Sequence, residues 1–408
     1  MSFLKLRLSA MANGGQALGR DTNNRVIFVP QAIPGELVEV EVDEQTKGHS
    51  QAQLRRVLQP SAERVSARCD HFPDQTCSHF QHIAYPTQLH YKKQVILDQM
   101  KRLAGLEPLV RPLIASPAQW GWQTAVSLSP TAEGGFGLWS GRQQKVLPIA
   151  QCALLTPGLQ NLMQDLDMEL PGLRRLTLRE GSEGDLLVAM EIEDVEPPDL
   201  VVDFPLSAAI VLPDQTAANL IGDNFVVQVI NGRPFQVSAG CYFHANPAAT
   251  EQVTAALLTA AQLRPSDKVL ELFSGVGVFT AALAAHSAEV IGIEANSDAV
   301  EDAAINLDDT EQVSLYHAFV EDVLPSLKIA PPVVVMHPPA GGLSAEIIRA
   351  VVYKRPQRLI YISDDVATLA RDAKMFGRSG YRLAEIQPID TAPQTYHMTC
   401  VALFLPQK

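Results

Sequence analysis

Apolar positions along this 408-residue chain change their spacing twice. From residue 1 to about 60 they alternate with polar ones, as in Leu4-Lys-Leu-Arg-Leu8 and Val38-Glu-Val-Glu-Val42. A short apolar run at Val26-Ile-Phe-Val29 and a turn signal at Asn13-Gly-Gly15 lie between them. Period two marks strands, and strands this short and close predict a small closed barrel. Over Thr87 to Leu106 the spacing becomes helical, through Leu89, Val95, Ile96, Met100 and Leu103, and Lys92, Lys93, Lys101 and Arg102 make the segment basic. Residues 110 to about 240 are again strand-rich, with frequent Gly and Pro and an early cluster of Trp120, Trp122, Phe136 and Trp139. From Ala248 onward helical and apolar-strand patterns alternate: helix 249–262, strand 268–273, helix 277–286, strand 289–294, helix 297–306, then strands at 332–336, 358–362, 381–387 and 400–405. That alternation predicts a doubly wound α/β layer with ligands at the carboxyl ends of its strands. The expected fold class is α/β plus β, in three domains: 1–62, 63–247 (strand-rich, with the basic helix) and 248–408.

Charge narrows the partners. A net charge of -13 argues against tight non-specific binding to nucleic acid and leaves room for a local basic face. The five cysteines, Cys69, Cys77, Cys152, Cys241 and Cys400, are odd in number and scattered, which points to a reducing cytoplasm. The start, Met1-Ser-Phe-Leu-Lys-Leu-Arg, has no long apolar core of a signal peptide, and no apolar run approaches a membrane span.

The densest chemistry lies at Val269-Leu-Glu-Leu-Phe-Ser-Gly-Val-Gly-Val-Phe-Thr280, followed by Val290-Ile-Gly-Ile-Glu294. An apolar strand breaks into Gly275-x-Gly277, where the backbone can approach a ligand. Glu294, at the end of the next strand, is placed to bind the hydroxyls of a ribose. A plain strand-to-helix turn is the bland alternative; the acids Glu271 and Glu294 on either side favour a nucleoside. The third glycine of the dinucleotide fingerprint is missing, which favours a methyltransferase over a dehydrogenase. Asp322 follows the third strand, where a carboxylate can face an adenine amino group; a solvated acidic pair with Glu321 is the alternative. Pro338-Pro339 marks a rigid loop at a strand's carboxyl end.

At this point the chain resembles the class I RNA uracil-C5 methyltransferases of tRNA and ribosomal RNA. Gly14-Gly15, Leu18-Gly-Arg20, Val26-Ile-Phe-Val-Pro30, Ile33-Pro-Gly-Glu36 and Ser61-x-x-Arg64-Val65 are similar to an OB-like TRAM barrel that binds RNA. Gln81-His-Ile-Ala-Tyr85 with Gln88 and Lys92, Gly240-Cys-Tyr-Phe-His-Ala-Asn246, Ala367-Thr-Leu-Ala-Arg-Asp372 and Gln394-Thr-Tyr-His397 are similar to later motifs. The resemblance implies a Rossmann-like C-terminal domain that binds S-adenosylmethionine through His244, Phe273, Gly275, Gly277, Glu294 and Asp322. It also implies a tRNA or rRNA partner and no membrane; we expect a monomer.

The reaction asks for more. A cysteine thiolate must add to uracil C6, and a base must then remove the C5 proton. Aligned from Ala367, Asp364 stands where the nucleophilic cysteine belongs, and Thr399 where the glutamate base belongs. The family's Asp-Pro-Pro-Arg reads His337-Pro-Pro-Ala340, and a motif glutamine becomes His244. No catalytic nucleophile is therefore assigned. One reading is a protein that keeps RNA and cofactor binding without uracil-C5 methylation. The other is methyl transfer to a nitrogen or oxygen acceptor, with His337, Asp364, Asp365 or His397 taking the proton. Cys400, one position past Thr399, should face the opposite side of its strand, and Cys241 reads as structural. Cys69 and Cys152 match two positions of the family's iron–sulfur motif, but Cys77 falls out of register, so a cluster is not expected. Cys69 and Cys77 with a histidine (His71, His79 or His82) offer a conceivable zinc set, beside the plainer reading of remnant positions.

Overall fold

The computed structural model describes residues 3–45, 48–72, 77–140, 143–166, 172–193 and 205–407. The N-terminal alternation closes into a five-stranded barrel in the order Phe3–Met11, Ala17–Arg20, Val26–Val29, His49–Gln59, Leu37–Gln45. Leu6, Leu8, Val38 and Val40 point inward and are fully or almost fully buried. The fully buried Glu36 fastens the barrel to residues 61–64 just beyond it. Its carboxylate accepts from the backbone N–H of Ile33 (2.9 Å) and Ser61 (3.1 Å) and, at 2.7 Å on each oxygen, from the Arg64 guanidinium.

The helix runs Tyr85–Gln99 and widens into a π turn, Met100–Ala104, that ends at Gly105 with φ +70°. The sequence groups it with the central segment; its packing does not. Ile96, Met100 and Ala104 enter the core of the C-terminal sheet beside Ala373 and Phe376. The chain after it, Leu109–Val110, adds an edge strand parallel to Tyr381–Ile389. The basic side chains are also largely spoken for. Lys92 is buried against Asp390, Lys101 pairs with Glu107 at 2.9 Å and Arg102 with Asp98 at 3.3 Å.

The central region is a seven-stranded sheet with a separate hairpin, Phe225–Ile230 and Arg233–Ser238. Trp122 lies in its core with Leu159, Leu176 and Met190; Trp120 and Phe136 pack against that core, while Trp139 is half exposed.

The C-terminal eight-stranded sheet has the order Val313–His317, Glu289–Glu294, Lys268–Leu272, Val333–Met336, Arg358–Ser363, Thr399–Pro406, Tyr381–Ile389, Leu109–Val110. Apolar clusters cover both faces, which is why its strands read as continuous apolar runs. From Lys268–Leu272 the order runs to one side through Glu289–Glu294 and to the other through Val333–Met336, both parallel to it. Connections that part in this way open a crevice at the carboxyl ends. Among the described residues, no helix is long and apolar enough to cross a membrane.

Candidate functional site

The crevice is a cavity of about 610 Å³, within the range of small-molecule sites. Its floor is the turn after Lys268–Leu272. The N–H groups of Phe273 and Ser274 both donate to the Ile293 carbonyl, at 2.8 and 3.2 Å. This bend forces Phe273 to φ +63°, an unusual state for a residue with a side chain. Gly275, at φ +55°, lines the cavity, and a Cβ there would meet nothing within 4 Å. Its N–H donates to Glu294 Oε2 at 3.0 Å, and Glu294 Oε1 accepts from Ala295 (2.8 Å) and Asn296 (2.9 Å). Three donors leave one of about four carboxylate lone-pair sites for a ligand. Gly277 has a different reason to be glycine. At φ +92° its Cβ would fall 2.9 Å from Leu307, so it serves helix packing and does not line the cavity.

The opposite wall carries the substituted positions, gathered around one carboxylate. Asp364 Oδ1 accepts from Thr399 Oγ1 at 2.5 Å; Oδ2 accepts from Tyr242 Oη at 3.2 Å and lies 3.2 Å from His337 Nε2. Thr399 is fully buried, so with its proton on Asp364 it accepts from Thr391 at 3.0 Å. Partial desolvation opposes the charge on Asp364. The neighbouring His244 and His337 rings and the Thr399 hydroxyl outweigh it and hold the carboxyl below its usual range. His244 stacks on His337, with centroids 5.2 Å apart and planes 8° from parallel. Desolvation lowers the His244 pKa to about 4, opposed by the Asp364 charge, and its Nε2 is buried with no partner. His244, His337 and Asp364 offer ligand atoms within 4.8 Å of one another. Parallel imidazoles leave no single point in the plane of both, so the arrangement suits hydrogen bonding better than a shared ion.

Of the residues singled out from sequence, His244, Phe273, Gly275, Glu294, His337 and Asp364 line this cavity. Asp322 does not: it is exposed on the short Val320–Val323 helix. His397 is exposed and meets Tyr396, its backbone oxygen taken by Lys92 at 2.7 Å. Cys400 points into the opposite core with Ala402 and Phe404. The Cys241 thiol is buried and donates to Asp302 at 3.5 Å, and burial pushes its pKa well up. Sequence reasoning assigned no role to Tyr242, whose hydroxyl reaches Asp364 across 122 positions, or to the buried, unpartnered Ser274 Oγ at the floor. The first sits inside the Gly240–Asn246 motif and the second inside the glycine turn.

Glu271 lies behind the floor, not in it. It is buried and accepts from Thr280 Oγ1 at 2.6 Å. Burial, helped by the Glu294 charge, raises its pKa to about 8 despite the Thr280 bond. The folded state therefore holds a proton that the unfolded state releases near pH 4.5. Between those values stability falls as pH rises, by at most about 1.4 kcal/mol per pH unit. Glu271→Gln lacks this loss. Denaturation midpoints of wild type and variant should diverge from about pH 5.5 to about pH 7.5 in favour of the glutamine. Parallel pH profiles would contradict an un-ionised Glu271.

Comparisons with known proteins agree with this architecture. Residues 6–54 match the TRAM domain. The chain is 30% identical to an uncharacterized RNA methyltransferase of Synechocystis, over 98% of this chain and 95% of that protein. It is 28% identical to the 23S rRNA (uracil(1939)-C(5))-methyltransferase RlmD of Pectobacterium atrosepticum, over 98% and 93%. The crystal structure of Pyrococcus abyssi tRNA (uracil-54, C5)-methyltransferase, in complex with S-adenosyl-L-homocysteine, superposes with a TM-score of 0.76 at 22% identity, covering 98% of this chain and all of that one.

Proposed function

The chain belongs to the RNA methyltransferases of the uracil-C5 type, and from that premise we propose that it binds S-adenosylmethionine and RNA without methylating uracil C5 through a covalent adduct. Its TRAM barrel and its relatives support an RNA partner of the tRNA or rRNA kind. Five unpaired cysteines support a cytoplasmic setting.

The residues at the cavity floor fit the cofactor. Gly275 offers an open backbone approach, and Glu294 keeps a free acceptor for a ribose hydroxyl. Phe273 and Gly275 would line the nucleoside, with Glu294 at its sugar. Bound there, the cofactor would supply an activated methyl group.

One observation carries the negative half of the proposal. Asp364, at the nucleophile position, is a carboxylate held by Thr399, Tyr242 and His337. A carboxylate adding to C6 forms a weak ester-like bond that reverses before a methyl group is accepted. Thr399 has no basicity at neutral pH, and its proton is already committed to Asp364. Incubation with labelled S-adenosylmethionine and bulk tRNA or rRNA should yield no 5-methyluridine, while calorimetry shows cofactor binding. Formation of 5-methyluridine that survives Asp364→Ala and Thr399→Ala would sink the proposal. Absence of cofactor heat would remove its binding half.

A second reading is transfer to a nitrogen or oxygen of RNA. It is favoured by the convergence of the substituted positions: Asp364, His337 and Thr399 form one hydrogen-bonded set with His244 stacked beside it. Such an acceptor needs only that its proton be taken, and the Asp364–His337 pair offers a base. Mass spectrometry of RNA from a deletion strain should then lack one methylated nucleoside other than 5-methyluridine.

A further inference from the structure

None of the five cysteines lines the cavity. Three of them, Cys69, Cys77 and Cys152, gather where the segment between the barrel and the Tyr85–Gln99 helix meets the central core. Among its described residues, that segment has only an isolated bridge, Arg64 to Ile83, as ladder pairing. Cys69 and Cys152 are 8% and 5% exposed, and Cys152 belongs to the core of the central sheet. The Cys69 thiol neighbours Cys152 and His71, and Cys77 neighbours Cys152. His71 Nε2 lies 3.2 Å from Cys77 Sγ. The ligand atoms of His71, Cys77 and Cys152 are within 4.8 Å of one another.

The backbone beneath Cys69 and Cys152 is fixed. Gln81 Oε1 accepts from the N–H of Arg68 at 3.0 Å and of Cys69 at 3.1 Å, and Gln81 Nε2 donates to Ser78 at 2.8 Å. Gln160 Oε1 accepts from the N–H of Cys152 at 2.7 Å. Supports of this kind orient ligands to an ion. Spacing sets its size. Bonds of about 2.3 Å to sulfur and about 2.0 Å to nitrogen put tetrahedral ligands about 3.5–3.8 Å apart. His71 and Cys77, 3.2 Å apart, stand near that scale, and Cys152 lies within 4.8 Å of both. These donors do not fit a four-iron, four-sulfide cluster. One donor is an imidazole, and Cys77 and Cys152, within 4.8 Å of each other, stand too close to be held at two corners of such a cluster.

We propose that Cys69, His71, Cys77 and Cys152 bind a single Zn²⁺ ion as a structural staple that ties Cys69, His71 and Cys77 to the central core at Cys152. Three thiolates and one imidazole are a closed set with no open position, so the ion serves stability and takes no substrate. The proposal is independent of the functional reading above.

The full-length protein, prepared under reducing conditions, should carry about one zinc per chain by elemental analysis, without iron or acid-labile sulfide. Loaded with Co²⁺ instead, it should show sulfur-to-metal charge-transfer absorption, which the His244, His337 and Asp364 group cannot produce. Cys77→Ser should lower zinc content at least about tenfold and lower the unfolding midpoint. His71→Cys, which supplies a fourth thiolate, should keep the ion and the fold. Iron with sulfide, a Cys69–Cys152 disulfide in place of metal, or folded protein that takes up no zinc or cobalt at this site would each overturn the proposal.

Discussion

Lys92→Met is expected to destabilise the protein by about 3–5 kcal/mol, because it strands a buried carboxylate. The side chains of Lys92 and Asp390 are 1% and 0% exposed. Burial disfavours the Lys92 charge, and Asp390 opposes that effect. All three ammonium protons are used: by Asp390 Oδ1 at 2.5 Å, the Ala392 carbonyl at 3.1 Å and the His397 carbonyl at 2.7 Å. Tyr85 donates to the other Asp390 oxygen at 2.8 Å and accepts from Ser116 at 2.9 Å. Methionine nearly matches the lysine stem in volume, so packing is kept while the charge balance is lost. The double variant Lys92→Met, Asp390→Leu should recover most of the loss, since the cost lies in the unpaired ion and not in the missing pair. Chemical denaturation of wild type and both variants measures this. A single variant within about 1 kcal/mol of wild type would show that water reaches Asp390.

The same pair shows where sequence reading stops. Lys92 and Asp390 are 298 positions apart, and nothing in a periodic pattern joins them. The helix that carries Lys92 was legible from its apolar spacing, but its partner was not: the edge strand after it pairs with Tyr381–Ile389, far along the chain. The widening into a π turn at Met100–Ala104 also leaves no periodic trace. Where structure follows from local alternation, the reading holds closely. Glu289–Glu294 and Ser297–Asn306 stand at their expected bounds. Period two separates Thr399, which meets Asp364, from Cys400, which enters the core. Family-like motifs located residues better than they located roles. Gln88 and Gln394 meet each other, with Gln88 Nε2 donating to Gln394 Oε1 at 2.8 Å and Gln88 Oε1 accepting from the Gln394 N–H at 3.1 Å. Asp372 accepts from Tyr361 at 2.8 Å and the Leu343 N–H at 2.9 Å, which fixes the chain after Pro338-Pro339. Both are fasteners. Asp322 follows a strand as its spacing predicts, and the chain there turns into the short Val320–Val323 helix, which leaves the carboxylate exposed.

Glu294→Ala should weaken S-adenosylmethionine and S-adenosylhomocysteine binding by about 30- to 150-fold, or about 2–3 kcal/mol. Two losses act together. The carboxylate proposed to bind the ribose is removed, and the N–H groups of Gly275, Ala295 and Asn296 lose the acceptor that draws both strand ends together. The turn then keeps the Ile293 carbonyl, which takes the Phe273 and Ser274 N–H groups, and the Gly277 N–H bond to the Ser274 carbonyl at 3.2 Å to hold Phe273 in its left-handed state. Glu294→Gln should fall between, because its amide oxygen can serve one strand end but no longer both. Asp322→Ala should leave the dissociation constant unchanged, since that side chain does not reach the cavity. Calorimetric titration of the three variants separates these effects. A tenfold or larger loss with Asp322→Ala would mean that the ligand extends beyond the cavity onto the Val320–Val323 helix. Unaltered affinity in Glu294→Ala would mean that the Gly275 turn holds its shape, and the nucleoside its place, without the carboxylate.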